Sequence, residues 1–210
     1  MKVHLVFAHP NVKSFNGQMR DITIEVLKEN GCEITLSNLY QEKFKAAADE
    51  DDFISLHNAD FFDIQQEQIN ALNNHTFSDD IKREQSYLMD ADLIIFQFPL
   101  WWYSMPALLK GYIDRVFSYG FAYGGNRALE GKKILVNITT GAPELAWTAD
   151  KRGSVIDIFK HLFVGTFGLC GLIPVEPFIV YAAKRLTEQD KKAKLENYKS
   201  QLNTLIHISQ

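Results

Sequence analysis

Residues 92–117 read "DLIIFQFPLWWYSMPALLKGYIDRVF". Leu93 to Phe98 is apolar at its centre, as a strand covered on both faces must be. Ser104 and Pro106 suit a helix start. Beyond them Leu108, Leu109, Tyr112, Ile113, Val116 and Phe117 recur at helical spacing and form one apolar stripe. A doubly covered strand that feeds an amphipathic helix is the building unit of a parallel sheet. Between strand and helix stand Trp101, Trp102 and Tyr103. Three consecutive aromatics cannot all face one side, so at least one lies near the surface. Either the core extends to the end of this strand, or a flat apolar ligand sits there.

The alternation continues in both directions. Strands are predicted over 3–8, 33–38, 92–98, 132–138 and 175–181. Helices are predicted from a cap at Asn16 to Asn30-Gly31, near 65–72, over 80–90, 106–117 and 154–167, and from Thr187 onward, where Thr187-Glu188-Gln189-Asp190 is a capping-box variant. Gly111, in mid-helix at a cost of about 1 kcal/mol relative to alanine, points to a close contact. Residues 41–80 are polar and acidic yet dotted with Phe44, Phe53, Phe61, Phe62 and Phe77. That is too long for a simple connection and too aromatic for a linker, so it reads as a large excursion with some helix. Strands alternating with helices give an α/β fold with a parallel sheet covered on both faces.

The chain has 210 residues, 46% hydrophobic and 23% charged. That suits one domain over 1–210 with a sizeable core and argues against disorder. A net charge of −4 gives no reason to expect nucleic acid or an anionic membrane as partner. No stretch approaches the length of a membrane span, and with a strand from residue 3, no basic n-region and no longer apolar run, no signal peptide is expected. Cys32 and Cys170 are isolated, with no CxxC and no nearby histidine pair. A cytoplasmic protein with free thiols and no structural metal is the expectation.

In an open parallel sheet, ligands bind beyond the carboxyl ends of the strands. Three loops on that edge are chemically unusual. After the first strand, "AHPNVKSFNG" (8–17) supplies His9, Lys13, Ser14 and Asn16 and leads into a helix N-terminus. It reads either as a phosphate site or as a capped turn whose polar groups serve only the local backbone. After the third strand comes Pro99 to Tyr103, the aromatic run. After the fourth, "ITTGAPE" (138–144) offers two hydroxyls and a glycine that lets a ring approach the backbone. An anion site, an apolar slot and a hydrogen-bonding backbone on one edge match the phosphate, dimethylbenzene ring and polar pyrimidine edge of a flavin nucleotide.

These stretches, with "GLCGLIPVEPF" (168–178), resemble the flavodoxin-like NAD(P)H:quinone oxidoreductases of the DT-diaphorase type and their shorter bacterial relatives, over nearly the whole chain. The resemblance implies a five-stranded sheet in the order 2-1-3-4-5. It implies His9, Ser14, Phe15 and Asn16 near the flavin phosphates and ribityl chain, and Pro99, Leu100, Trp101, Trp102 and Tyr103 along the isoalloxazine. Thr139, Thr140, Gly141 and Ala142 would meet the pyrimidine edge, with Ala142 replacing the second glycine of the family's TTGG. Trp147 stands where the animal enzymes have an active-site tyrosine, and Arg152, near their unmatched histidine, would add positive charge at the reduced ring. Tyr123, in "FAYG" (121–124), matches a tyrosine that reaches the partner's pocket in a homodimer. The implied activity is ping-pong hydride transfer from NAD(P)H to quinones. FAD is expected because 57–85 resembles the excursion of the FAD-binding animal enzymes and could return over the phosphate edge, with Lys191 or Lys192 in place of an arginine near the diphosphate; FMN is the alternative. The other functions considered are a regulatory subunit of a potassium-efflux system, as some bacterial relatives are, a flavodoxin-like electron carrier, and a flavodoxin-like domain without cofactor. The His-Pro loop and the mild charge argue against the carrier.

Overall fold

A computed structural model of the chain describes residues 1–209. Strands β1 (Lys2–Phe7), β2 (Glu33–Asn38), β3 (Leu93–Pro99), β4 (Lys133–Thr139), β5 (Ile173–Pro174) and β6 (Phe178–Val180) form one parallel sheet. Its order is β2-β1-β3-β4-β5, with β6 also on β4. The helices are α1 (Phe15–Glu29), α2 (Ile64–Asn74), α3 (Asp79–Asp90), α4 (Ala107–Val116), α5 (Val155–Ile158) and α6 (Glu188–Ser209).

The predicted fifth strand, 175–181, is instead two short pieces. Pro174 and Pro177 lack N–H groups, and the pairs Lys133↔Ile173 and Asn137↔Phe178 leave one extra residue on the edge side. Proline and a bulge on an edge strand interrupt the ladder there. The predicted helix over 154–167 is α5 followed by a π-helical segment, His161–Phe167. Its wider turn brings Leu162 and Phe167, five residues apart, into the core together.

Period-2 alternation splits the apolar strand residues between two faces. Val6, Ile94, Phe96, Phe98, Val136 and Ile138 face a core shared with Leu88 of α3, the α4 stripe and Phe159. Val3, Leu5, Leu93, Ile95 and Leu135 face Met19, Val26 and Leu27 of α1 and Tyr198, Leu202 and Ile206 of α6. Among the described residues, no helix is long and apolar enough to cross a membrane. Cys32 and Cys170 are both free.

The excursion is folded. Phe53, Ala71, Phe77 and Ile81 make a small core of its own, with Phe62 and Leu72 against it. The buried Arg115 guanidinium ties it to α4: Nε donates to Asp52 (2.8 Å), Nη1 donates to the Lys45 carbonyl (3.0 Å) and pairs with Asp80 (2.8 Å), and the group stands over the Phe44 ring. Gly111 is explained here. A Cβ on it would lie 2.2 Å from the Ala46 carbonyl oxygen, so the close contact predicted at this glycine is with the excursion of the same chain.

Candidate functional site

Beyond the carboxyl end of β1 the chain turns sharply into α1. The Asn11 N–H donates to His9 Nδ1 (3.0 Å), the Lys13 N–H to Asn11 Oδ1 (2.9 Å), and the Ser14 N–H to the Asn11 carbonyl (3.1 Å). The cap is Ser14 rather than Asn16: its hydroxyl accepts the Gly17 N–H (3.1 Å). Only glycine fits at 17, because a Cβ there would meet the Val12 carbonyl oxygen at 1.8 Å. Asn16 is freed from capping and buried, and its amide donates to Thr139 Oγ1 (2.8 Å) across the strand ends. Its carbonyl, Oδ1, has no partner.

The N–H groups of Phe15 and Asn16, at the first two helical positions, have no partner within the helix and carry the positive end of its dipole. With Nδ1 engaged as an acceptor, neutral His9 carries its proton on Nε2. Burial, aided by the Lys184 ammonium, holds the imidazole below its ordinary pKa. This region is a cleft of about 680 Å³, lined by His9, Ser14, Phe15, Asn16, Pro99, Leu100, Trp101, Thr139, Thr140 and Gly141, and by Lys13, Lys184 and Lys191.

The aromatic run forms a tight turn. Trp101 and Ser104 exchange two backbone hydrogen bonds of 2.9 Å each, and Trp102 and Tyr103 between them have φ of 49° and 57°. Two consecutive left-handed residues are the pattern of a type I′ turn, normally an Asn-Gly position. Bulky side chains there store strain, of order 1–3 kcal/mol each, that the flanking hydrogen bonds must hold. The turn answers the question set by the sequence: these rings are outside the core, with Trp102 96% exposed, Tyr103 51% and Trp101 40%.

Trp102 and Tyr103 wall a second cavity of about 480 Å³, with Leu100, Gly141, Ala142, Trp147, Arg152 and Arg185. Leu100 and Gly141 border both cavities, so the two form one groove across the ends of β1, β3 and β4. Tyr103 meets Trp147 edge to face at 6.0 Å, and Arg152 lies over the Trp147 ring at 5.5 Å. The Thr140 hydroxyl and the Trp147 indole N–H both donate to the Ala142 carbonyl. Gly141 has open space where a Cβ would be, and among the described residues its N–H meets no acceptor.

The site residues singled out from the sequence border this groove, except Tyr123 and Lys192. The Tyr123 side chain lies in a separate groove of about 1000 Å³, where Gln65 donates to its hydroxyl (3.5 Å) alongside Ile113, Phe117, His161 and Leu169. The excursion also faces that groove and lines neither cavity, so within one chain it does not return over the phosphate edge. Gly111 and Arg115 hold it against α4 instead. Lys191 borders the cleft; Lys192 does not. Lys184 and Arg185 escaped the sequence reading. The signal was available: "AAKR" (182–185) follows the fifth strand position on the same edge, and its left-handed Ala182 (φ 50°) turns both side chains toward the groove. No cluster of His, Cys, Asp and Glu suited to a metal occurs among the described residues.

A family model described as a flavodoxin-like fold matches residues 1–205. The human ribosyldihydronicotinamide dehydrogenase [quinone] is 34% identical over 211 residues, covering 97% of this chain and 91% of that protein. The rat NAD(P)H dehydrogenase [quinone] 1 is 33% identical over 208 residues, covering 96% and 76%. A Klebsiella pneumoniae structure, solved as a candidate quinone reductase, superposes with a TM-score of 0.92 at 32% identity, covering 98% of this chain and 85% of that one. With the sheet order, the groove and these relatives in agreement, the chain belongs to the flavodoxin-like family of NAD(P)H:quinone oxidoreductases.

Proposed function

We propose that this protein is a flavin-dependent oxidoreductase that passes two electrons from a reduced nicotinamide donor to a quinone-type acceptor in alternating half-reactions. The observation that carries the reading is the continuous groove, with unsatisfied donors at one end, an unsatisfied donor at Gly141 and an aromatic wall between. A flavin nucleotide fits these residues: its phosphate needs the donors at the start of α1, and a ribityl hydroxyl supplies the donor that the buried Asn16 Oδ1 lacks. When bound, the flavin supplies the two-electron hydride chemistry.

The chain's own groups then have separate tasks. His9 Nε2–H and the Phe15 and Asn16 N–H groups hold phosphate, and the Ser14 hydroxyl, which lies 3.2 Å from His9 Nδ1 and accepts the Gly17 N–H, orients the ring and caps the helix beside it. Pro99 to Tyr103 fix the ring plane, and Thr139 and Thr140 keep the adjoining backbone in place. The Gly141 N–H, beside Ala142, is a fixed donor for negative charge on the ring's polar edge, in the manner of an oxyanion hole. Trp147 is a wall residue, since its N–H is already given to Ala142. Arg152 keeps a permanent positive charge on the same wall. FAD is favoured over FMN by Lys13, Lys184 and Lys191, which extend the cationic cleft beyond one phosphate. FMN remains the alternative because the excursion supplies nothing for an adenine within one chain.

The groove around Tyr123 supports a homodimer in which each pocket draws on both chains. Exposed Val164 and Leu169, on the segment bordering that groove, suit burial against a second copy. The test is direct. The purified protein is expected to be yellow, to bleach anaerobically with a reduced nicotinamide and to recolour with a quinone; a colourless protein that gains no colour when flavin is added would refute the reading. Mass measurement of the heat-released cofactor separates FAD from FMN, and light scattering reads the dimer.

A further inference from the structure

The outer cavity carries two positive charges without a counter-charge. The chain has six arginines. Arg20, Arg83, Arg115 and Arg127 are all paired with carboxylates. Arg152 and Arg185 have no ion pair among the described residues, and both border the cavity walled by Trp102, Tyr103 and Trp147. In a chain of net charge −4, two unpaired guanidinia on one aromatic cavity are a local exception. A neutral quinone offers such a pair carbonyl acceptors but no negative charge to neutralise. Guanidinium groups match phosphate oxygens with forked, charge-assisted hydrogen bonds, and the aromatic walls match a flat ring carried on the same molecule. The two families of relatives differ on this point by name, one for the riboside of dihydronicotinamide and the other for NAD(P)H.

We propose that Arg152 and Arg185 bind the 5′-phosphate of a phosphorylated nicotinamide donor, so that this protein discriminates against the bare riboside. The assignment rests on the reading of the cavity as the donor's entrance. The shared chemistry is an anionic group attached to a flat ring, and an acidic acceptor would present it too.

The experiment compares oxidised nicotinamide mononucleotide with nicotinamide riboside, which differ by one phosphate. Calorimetric titration of the protein as purified reads binding without turnover. The mononucleotide is expected to bind roughly tenfold more tightly or better, with an advantage that shrinks as salt is raised. An Arg152→Gln/Arg185→Gln double variant should lose that advantage, with mononucleotide affinity falling and the affinity of the cationic riboside not falling with it. The Arg152→Lys/Arg185→Lys variant should retain part of it, and near-ultraviolet circular dichroism checks the fold of each. Equal affinities in the unaltered protein, or an advantage that survives the double glutamine variant, would overturn the proposal. A parallel arm uses menadione and its sulfonate: discrimination between these acceptors with none between the donors would assign the pair to the acceptor and overturn the donor role. Because binding is read directly, a protein that never bleaches refutes the flavin reading alone.

Discussion

Gly111→Ala is the sharpest test of how the excursion is held. Helix propensity alone favours alanine at this mid-helix site by about 1 kcal/mol. The structure predicts the opposite sign. The new Cβ would lie 2.2 Å from the Ala46 carbonyl oxygen, 2.5 Å from its Cα and 2.6 Å from its carbonyl carbon. All three are backbone atoms, so no side-chain rotation relieves the contact. The segment cannot simply retreat, because Arg115 holds the Lys45 carbonyl next door. Overpacking of this kind costs about 1–3 kcal/mol, and a backbone clash belongs at or above the upper end. After the propensity gain is subtracted, a net loss of about 2 kcal/mol is expected, or roughly 4–8 °C in Tm for a chain of this size. Urea denaturation with an unchanged m-value should give the same ranking. A Tm that rises by a few degrees would refute the reasoning, since propensity would then have won and the contact would be absent in solution.

Three further outcomes are expected. Trp102→Ala should change stability by less than about 1 kcal/mol, because the ring is outside the core, yet sharply weaken flavin retention; normal flavin occupancy would remove the wall hypothesis. His9→Ala should raise the flavin dissociation constant roughly tenfold with little change in apoprotein Tm, whereas a large Tm loss at constant affinity would mean that the ring serves only the turn through Nδ1. Burial pushes the Glu84 carboxyl up, but the His4 ring, the Ser37 hydroxyl and Arg83 outweigh it and hold it below the usual carboxylate range. Its stabilising contribution is therefore full above the unfolded value near ~4.3 and lost as pH falls through the lower folded value, so Glu84→Gln should flatten the acid limb of a stability–pH curve measured by urea midpoints.

The sheet was legible because its strands are doubly buried: runs such as 92–98 and 132–138 carry the apolar signal whichever face is considered. The edge was less so. Between Ile173 and Val180 the apolar pattern continues through Pro174 and Pro177, and only the missing N–H groups reveal that the ladder breaks. The site was legible because its chemistry clusters in loops on one edge, where hydroxyls, an amide and adjacent aromatics have little reason to gather for packing alone. Asn16 shows the limit. Its residue type suits a helix cap, but the cap is decided by which neighbour the Val12–Gly17 contact allows into position, and that is a tertiary fact. The destination of the excursion was hidden for the same reason, since Arg115 and Asp52 are 63 residues apart and their pairing leaves no local pattern.

The Trp102–Tyr103 turn has a consequence for anyone selecting variants of this protein. Asn-Gly at the same two positions would adopt the left-handed backbone without strain, and the free chain would gain stability from it. The same exchange strips two rings from the cavity. A library screened for heat tolerance or expression would drift toward the relaxed turn, and one screened for turnover would keep the aromatics. At positions 102 and 103 the two selections would return different sequences, and that divergence would itself mark the pair as retained for something other than folding.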